Sequence, residues 1–313
     1  VIEETAGSNP MWSTMLTANE EIMDNLFSNF YATVEAPFLE GLSYRINYSP
    51  NYRWDHNYNF FRQDPYLEFN TTKASKFDRK SFQWVVENIL KYERNVGEDH
   101  FFDITLLYGR NHSDFESTTA NAALLSVGAL GYNDLSLGDI PTISSSAQAT
   151  EGISSMIRLN YRLMDRYMAT VTARRDGSSV FAANNKYATF PSIGLAWMVS
   201  DEAFFNNVSF VDMMKLRLSY GAAGNQAIGP YQSLSLAGIT HYVYGDGGAT
   251  SIGVYPSTIG NDDLKWETTY TTNIAVDFDL FSSRLGGSLE IYNSDTHDLL
   301  VNRTIPTMSG YDN

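Results

Sequence analysis

The side chains best suited to chemistry lie between Tyr48 and Phe61, where aromatic rings alternate with charged and amide groups. Rings stack on sugar rings or peptide side chains, and neighbouring polar groups fix the orientation of such a ligand. Tyr, Trp and Arg are also favoured at the centres of protein interfaces. We therefore expect an outward loop that contacts either a ligand or a covering protein. The candidate residues are Tyr52, Arg53, Trp54, His56, Tyr58, Phe60 and Phe61, with Tyr242 and Tyr244 in a later loop.

Signatures of catalysis and metal binding are scarce. The sequence contains no nucleophile elbow, phosphate loop, dinucleotide fingerprint or His-x-x-x-His pair, and it has no cysteine. The carboxylate pairs Asp262-Asp263 and Asp277/Asp279 have the residue types of a glycosidase, but a turn start and a solvated strand face explain them more simply. The sequence predicts a protein that is not an enzyme and that binds no cofactor or metal.

Composition narrows the class of protein further. The 313 residues include 36 Asp and Glu against 21 Lys and Arg, which gives a net charge of −15. Such a chain lacks the basic surface that a nucleic-acid binder needs. Its 20 Tyr and 18 Phe provide apolar surface that a folded protein must bury or cover. The apolar runs are far shorter than the roughly 18 residues of a membrane-spanning helix, so only strands remain as a means of crossing a membrane.

Alternation of apolar and polar residues dominates the sequence and predicts β-strands. Roughly ten such stretches occur, most of them about nine to twelve residues long. Strands of soluble domains average about five or six residues, whereas a tilted strand that crosses a bilayer needs about nine to eleven. Well-formed examples of the alternation begin at Leu42, Phe82, Phe102, Ile157, Tyr167, Ile193, Leu216 and Ile274.

The polar faces of these predicted strands carry full charges. In a dry core each unpaired charge would cost several kcal/mol, but in a barrel with a wet interior it costs little while the apolar face meets lipid. The sequence thus predicts an all-β, antiparallel transmembrane barrel wall. Its lumen-facing residues are expected to include Arg158, Arg162, Lys215, Arg217, Asp277 and Asp279.

Short and long connections alternate along the chain. An up-and-down barrel in an outer membrane has short periplasmic turns and long outer loops, so this parity supports the same architecture. The alternative is a large soluble all-β protein with decorated loops. Short connections are expected near 36–41, 94–100, 164–166 and 282–283 with a medium one at 201–212, and long ones near 50–81, 113–151, 177–188 and 222–265.

Several motifs resemble those of a known family and occur in its order over about residues 150–311. They resemble the SusC/RagA family of TonB-dependent outer-membrane transporters. The matching stretches are Arg174-Arg175-Asp176-Gly177-Ser178-Ser179, Phe190-Pro191-Ser192-Ile193-Gly194-Leu195-Ala196-Trp197, Ser200-Asp201-Glu202, Lys215-Leu216-Arg217-Leu218-Ser219-Tyr220-Gly221, Gly224-Asn225, Leu264-Lys265-Trp266-Glu267, Leu289-Glu290-Ile291-Tyr292 and Thr296-His297-Asp298-Leu299-Leu300.

The resemblance implies a barrel of about twenty-two strands, filled by a plug and closed by a surface lipoprotein of the SusD type. It also implies import of oligosaccharides or oligopeptides across the outer membrane of a Gram-negative bacterium, driven by TonB with ExbB and ExbD, and a possible dimer of SusC–SusD pairs. We expect residues 1–313 to be a segment of one barrel domain, without the plug, the N-terminal region or the last strands. A soluble or surface-attached all-β carbohydrate binder is the main alternative, and a glycoside hydrolase on a β scaffold is a third.

Overall fold

Nearly all regular structure in the chain is β-strand. The computed structural model describes residues 16–62, 71–205, 208–243, 250–304 and 306–311. Within these ranges, no helix combines the length and the apolar character needed to cross a bilayer. Short 3-10 helices occupy Gly131–Asn133, Leu135–Leu137, Val199–Asp201, Ala203–Phe205 and Thr307–Ser309.

Eleven strands form one sheet, and two more form a separate hairpin. The hairpin consists of β10 (Ala237–Val243) and β11 (Thr250–Pro256). The strands of the sheet are β1 (Thr17–Phe27), β2 (Phe30–Glu35), β3 (Leu42–Phe61), β4 (Lys73–Val96), β5 (His100–Leu125), β6 (Gly138–Leu163), β7 (Tyr167–Ser178), β8 (Tyr187–Met198), β9 (Val211–Asn225), β12 (Glu267–Leu280) and β13 (Leu285–His297).

The sheet is an up-and-down arrangement in which most spatial neighbours are also neighbours in sequence, the exceptions being the pairs β1–β3 and β9–β12. Its order is β1-β3-β4-β5-β6-β7-β8-β9-β12-β13. Strand β1 pairs with the second half of β3 and β2 pairs with the first half, so these two share one position beside β3. The eleven strands therefore fill ten positions, which confirms the predicted antiparallel wall of about ten strands.

The described chain divides into two compact units. The first takes its residues from 1–29, 49–84 and 112–149, and the second from 30–48, 85–111 and 150–313. The first unit has a small core of Phe60, Ala74, Ala122 and Leu125, against which Tyr132 and Leu135 pack. The core of the second unit consists of Val180, Phe181, Phe190 and Trp266.

Strands β3 to β6 are much longer than the sequence predicts. They contain 20, 24, 26 and 26 residues, about twice the nine to eleven needed for one crossing. The predicted loops at 50–81 and 113–151 are wrong for most of their length, since strand continues to Phe61 and Leu125 and resumes at Lys73 and Gly138. Regular alternation requires one apolar and one wet face, and the Ser-, Thr- and Asn-rich ends of β5 and β6 lack an apolar face.

In the second unit, strand register places the apolar and the charged residues on opposite faces. Leu195 pairs with Ala169 and with Leu218, and Leu218 pairs with Ile274. These apolar side chains are not covered by a second layer of the described chain: Ile157 is 51% exposed, Leu195 45% and Ile274 58%. A sheet whose apolar face stays open in this way is suited to a hydrocarbon environment.

Aromatic residues mark the two ends of this apolar face. Tyr187 and Trp197 lie on the same face of β8, ten residues apart. At about 3.3 Å per residue this separation is roughly 33 Å along the strand, or about 25 Å for a strand tilted by about 40°. An apolar band of about 25 Å between aromatic girdles is typical of outer-membrane barrels, so the spacing of these rings fits a bilayer crossing.

Short and long connections between strands alternate along the chain, as the sequence predicts. On one edge of the sheet the chain turns at 36–41, 97–99, 164–166, 199–210 and 281–284, while the other edge carries 62–72, 126–137, 179–186 and 226–266. The first edge has the shorter turns apart from 199–210, which holds two 3-10 helices. The last of the long connections contains the hairpin of β10 and β11. The alternation of short and long connections is therefore confirmed.

A charge on the apolar face of β12 tests this orientation. We expect Ile274→Lys to destabilise the folded protein in lipid vesicles by about 2–4 kcal/mol, the cost of a lysine near the midplane of the membrane. The measurement is urea unfolding followed by heat-modifiable mobility in gels. The matched control is Asn273→Lys, one residue away on the charged face, where Asn273 hydrogen-bonds to Glu290. Equal losses of stability for the two variants would contradict the assignment of faces.

Candidate functional site

The rings predicted to lie in a loop form a ladder on one face of β3 in the first unit. Even-numbered positions along this strand share a face. The Tyr52 ring stacks on Trp54 at 5.7 Å between centroids and on Phe82 at 4.1 Å. Phe60 is buried in the core of the unit. The prediction that these residues lie in a loop is therefore wrong, whereas their contact with a ligand or a covering protein stays a prediction.

A polar group is built into this ring face at Asp78. The Asp78 carboxylate lies 2.6 Å from His56 Nδ1 and accepts a hydrogen bond from the Tyr58 hydroxyl at 2.9 Å. Tyr58 also contacts the ring of Tyr132. The Tyr132 hydroxyl donates to Glu20 at 2.6 Å, and this bond to a carboxylate raises the pKa of Tyr132. The rings are thus held in place by one another and by two carboxylates.

Arg53 and Phe61 do not share this ring face. Odd-numbered positions of β3 point to the opposite side, where Arg53 Nε donates to the buried Asp55 at 2.7 Å. Phe61 lines a cavity of about 350 Å³ together with Ala74 and Ile140. The predicted set at 52–61 therefore separates into a ring surface and a polar surface, because a strand displays alternate residues on opposite faces.

The second predicted loop is only partly covered by the structure. Tyr242 lies in β10, opposite Ser251 of β11, and is 58% exposed. Tyr244 lies outside the described residues. The hairpin also exposes Ile239, Ile252 and Val254.

The charged residues predicted for the lumen share one face of the second unit. Arg162 pairs with Met168, Met168 with Ala196, and Ala196 with Arg217. Arg158, Lys215, Asp277 and Asp279 have the same orientation by register. Arg217 donates two hydrogen bonds to the Asp277 carboxylate, at 2.7 and 2.8 Å, and the Ser288 hydroxyl donates a third to the same carboxylate. This face therefore carries paired, partly solvated charges rather than a dry core.

The Leu264-Lys265-Trp266-Glu267 motif builds the outer loops of the second unit. Trp266 packs on Phe181 and edge-on against Phe190, and its indole donates to the carbonyl of Lys186 at 3.0 Å. Glu267 accepts hydrogen bonds from Asn225 and from the backbone N–H of Leu300, each at 3.0 Å. These contacts join four segments of chain. Sequence reasoning did not find this cluster, although the family resemblance pointed to its motif.

The Ser200-Asp201-Glu202 motif organises the turn between β8 and β9. The Glu202 carboxylate accepts hydrogen bonds from the Tyr167 hydroxyl and from the Trp197 indole, and it lies 3.6 Å from Arg166. The bond from Tyr167, followed by that from Trp197, lowers the pKa of Glu202. The carboxylate therefore holds two rings at the short-turn edge of the sheet.

The fold and the faces define the class of protein: this is part of the wall of a transmembrane β-barrel. The chain belongs to the TonB dependent receptor-like, beta-barrel family, whose model matches residues 11–313. This confirms the resemblance drawn from the motifs.

Among its relatives, TonB-dependent receptor P26 of Formosa agariphila is 31% identical over 329 residues, which cover 97% of this chain and 31% of that protein. TonB-dependent receptor SusC of Bacteroides thetaiotaomicron is 37% identical over 164 residues, covering 51% and 16%. The solved RagAB peptide transporter has the same fold, with a TM-score of 0.82 and 22% identity over 96% of this chain and 33% of that one. The chain spans about a third of the length of P26.

The pKa of Glu202 makes the stability of the turn depend on pH. Because the folded pKa is lowered, the ionised carboxylate stabilises the protein above the ordinary value of about 4.3, and this stabilisation is lost as the pH falls through the folded pKa. We expect Glu202→Gln to lower the urea midpoint at pH 7 and to have a smaller effect at pH 3.

The neighbouring Asp201→Asn variant is the control, since the Asp201 side chain accepts a hydrogen bond from Ser200 rather than from a girdle ring. A difference between Glu202→Gln and wild type that grows on acidification would be the opposite of the expected result.

A substitution at Gly224 tests whether the packing of Val180, Phe181, Phe190 and Trp266 is rigid. A Cβ at this position would clash with the ring of Phe190, which is buried beside Trp266. We expect Gly224→Ala to cost about 1–3 kcal/mol, as overpacking does. Gly194 of β8 is the control because a Cβ there has no atom within 4 Å. If the urea unfolding assay gives the same free energy of unfolding for Gly224→Ala as for the wild type, the packing is not rigid, because the Phe190 ring must then move to admit the methyl group.

Proposed function

We propose that this chain forms part of the barrel of a SusC-like, TonB-dependent importer of oligosaccharides or oligopeptides in the outer membrane of a Gram-negative bacterium. The observation that carries the proposal is the two-faced sheet of the second unit. One face exposes Leu195, Leu218 and Ile274, and the other carries the Arg217–Asp277 pair. A soluble carbohydrate binder would have to keep that apolar face in water, which favours aggregation.

The mechanism in this proposal is non-covalent. A ligand is held between the outer loops and a SusD-like lipoprotein, and a pull by TonB, powered through ExbB and ExbD, then displaces a plug. Residues 1–313 belong to a single barrel domain and provide the pathway wall and part of the outer loops. Family membership supports this division of roles, as does the similarity to SusC and to RagAB, which is described as a peptide transporter.

Residues of the charged face would line the aqueous path. Arg158, Arg162, Lys215, Arg217, Asp277 and Asp279 share that face by register. Arg162 forms an ion pair with Asp165 and Arg217 with Asp277, and these pairs keep this part of the wall polar. Such a surface lets a hydrated oligomer pass with weak, replaceable contacts.

The ring face of the first unit is assigned to the lipoprotein contact rather than to direct ligand stacking. Tyr52, Trp54 and Tyr58 are half-buried and already contact other rings, so part of each ring is covered. A rigid aromatic surface of this kind is suited to a protein interface. Tyr242 of β10 is a separate candidate for contact with the lipoprotein or ligand, and Tyr244 is a further candidate from the sequence alone.

The proposal is tested in the whole protein by combining Trp54→Ala with Tyr58→Ala. We expect the lipoprotein encoded with the transporter to be recovered with the variant at a yield several-fold lower, because two interface rings are lost. Uptake of labelled oligomers by cells should fall in parallel. Asn59→Ala, on the opposite face of β3, is the control and should change neither quantity.

Two results would contradict separate parts of the proposal. If the ring variant retains normal recovery of the lipoprotein and normal uptake, the assigned contact is wrong. If uptake of every oligomer tested is independent of the transporter, or continues after the proton gradient is collapsed, the importer function is wrong.

A further inference from the structure

The outer loops of the second unit enclose a cavity that the predicted sites do not include. Three segments, 227–232, 257–264 and 299–304, contribute most of its lining, and its volume is about 1050 Å³. This is at the upper end of the range of small-molecule sites, roughly 300–1,000 Å³. It is therefore large enough for several units of an oligomer.

The floor of the cavity is apolar and firmly supported. Ile228, Leu264 and Leu300 line it, and the same three side chains pack against the core formed by Val180, Phe181, Phe190 and Trp266. The Leu300 N–H is fixed by Glu267. A preformed floor of this kind lowers the ordering cost of binding.

The loop backbone around the cavity is also constrained. The Asn261 N–H donates to the carbonyl of Ser233 at 3.1 Å, and the Leu234 N–H donates to the carbonyl of Tyr231 at 2.9 Å. Tyr231 lines the cavity with a φ of 64°, a left-handed conformation that is strained for a bulky residue. Such strain persists only where the surroundings impose it, and it is often found at binding sites.

The charge of the lining contrasts with that of the whole protein. The chain has 36 acidic residues, yet among the residues that the structure describes, those lining the cavity include no carboxylate side chain and one charged group, Arg303. Asp262 and Asp263 lie in the same loop but do not line it. Arg303 is exposed, and within the described part of the chain its guanidinium has no ion pair or hydrogen bond.

These features indicate the chemistry of the occupant. A guanidinium presents two parallel N–H donors that match a carboxylate. Around it, Gln232, Asn261 and Asn302 supply amides that suit hydroxyl or peptide groups. The apolar floor suits an uncharged body rather than a second charge.

We propose that this cavity is a subsite for oligomers that carry a carboxylate, with Arg303 pairing to that group and the apolar floor receiving the uncharged part. The inference rests on the proposed importer function and specifies its ligand class. The carboxylate has two possible sources, the C-terminus of a peptide or a uronic acid of an oligosaccharide, and the experiment separates them.

The test is a titration of the full-length transporter, purified with its lipoprotein, against matched probes. One pair is the tripeptide Ala-Leu-Ala and its C-terminal amide; the other is tri-galacturonate and its methyl ester. We expect the acid form of one pair to bind at least tenfold more tightly than its neutral form, as a charge-assisted pair of about 1.5–3 kcal/mol would give. Which pair shows the preference identifies the source of the carboxylate.

Variants of Arg303 connect this preference to the cavity. Arg303→Gln should remove most of the preference while leaving affinity for the neutral probe unchanged, and Arg303→Lys should retain part of it, because lysine keeps the charge but loses the planar fork. Arg284→Gln, in the short turn 281–284 at the opposite edge, is the control and should behave like wild type. Folding of each variant is checked by heat-modifiable gel mobility.

The outcomes distinguish this inference from the function on which it rests. If the transporter imports oligomers but binds neither acid probe, or binds acid and neutral forms equally, the subsite is wrong and the importer stands. An equal loss for acid and neutral probes in Arg303→Gln would also overturn the subsite, since the arginine would then be structural. If no oligomer is imported at all, the importer function itself fails.

Discussion

The structure depends on one constraint, which is that a single-layer sheet must satisfy its backbone hydrogen bonds laterally while its apolar side chains stay uncovered. In the eleven-stranded sheet, β12 and each strand from β3 to β9 have a partner on both sides, so their backbone groups need no water. The side chains are then free to divide by face, with Leu195 and Ile274 on one and Arg217 and Asp277 on the other. In water this arrangement would expose a large apolar surface that promotes aggregation, whereas in a bilayer the same surface contacts lipid and the arrangement is stable.

The two ends of the wall are secured in different ways. At the short-turn edge, one carboxylate, Glu202, holds the Tyr167 and Trp197 rings at the level where a membrane meets water. At the long-loop edge, Trp266 and Glu267 join loops distant in sequence through packing and hydrogen bonds. The motifs quoted for the family therefore have a structural role at both edges, since they fix turns and loops rather than supply reactive groups.

Sequence reasoning succeeded where the environment imposes a pattern. The bilayer requires an apolar face, so residues such as Ile193, Leu195 and Trp197 alternate with small or polar ones, and the strands and their faces followed directly. Beyond that band both faces of a strand tolerate polar residues, so the ends of β5 and β6 carry no alternation from which a strand can be predicted. In β3 the alternation does continue through Trp54 and Tyr58, but the Asn and Asp residues between the rings have low strand propensity and obscured it.

The cavity in the loops of the second unit shows a second limit of prediction from sequence. Spacing in a sequence states which residues are neighbours along the chain, but it cannot show that Ile228, Leu264 and Leu300 converge on one buried tryptophan, because 72 residues separate the first from the last. Nor can it show that, in the described part of a strongly acidic chain, one cavity lining contains no carboxylate side chain. Both facts arise from how the outer loops pack on the core of Trp266 and Phe181. The residues that hold those loops in place therefore also determine which side chains line the cavity, so any ligand selection there would depend on the same packing.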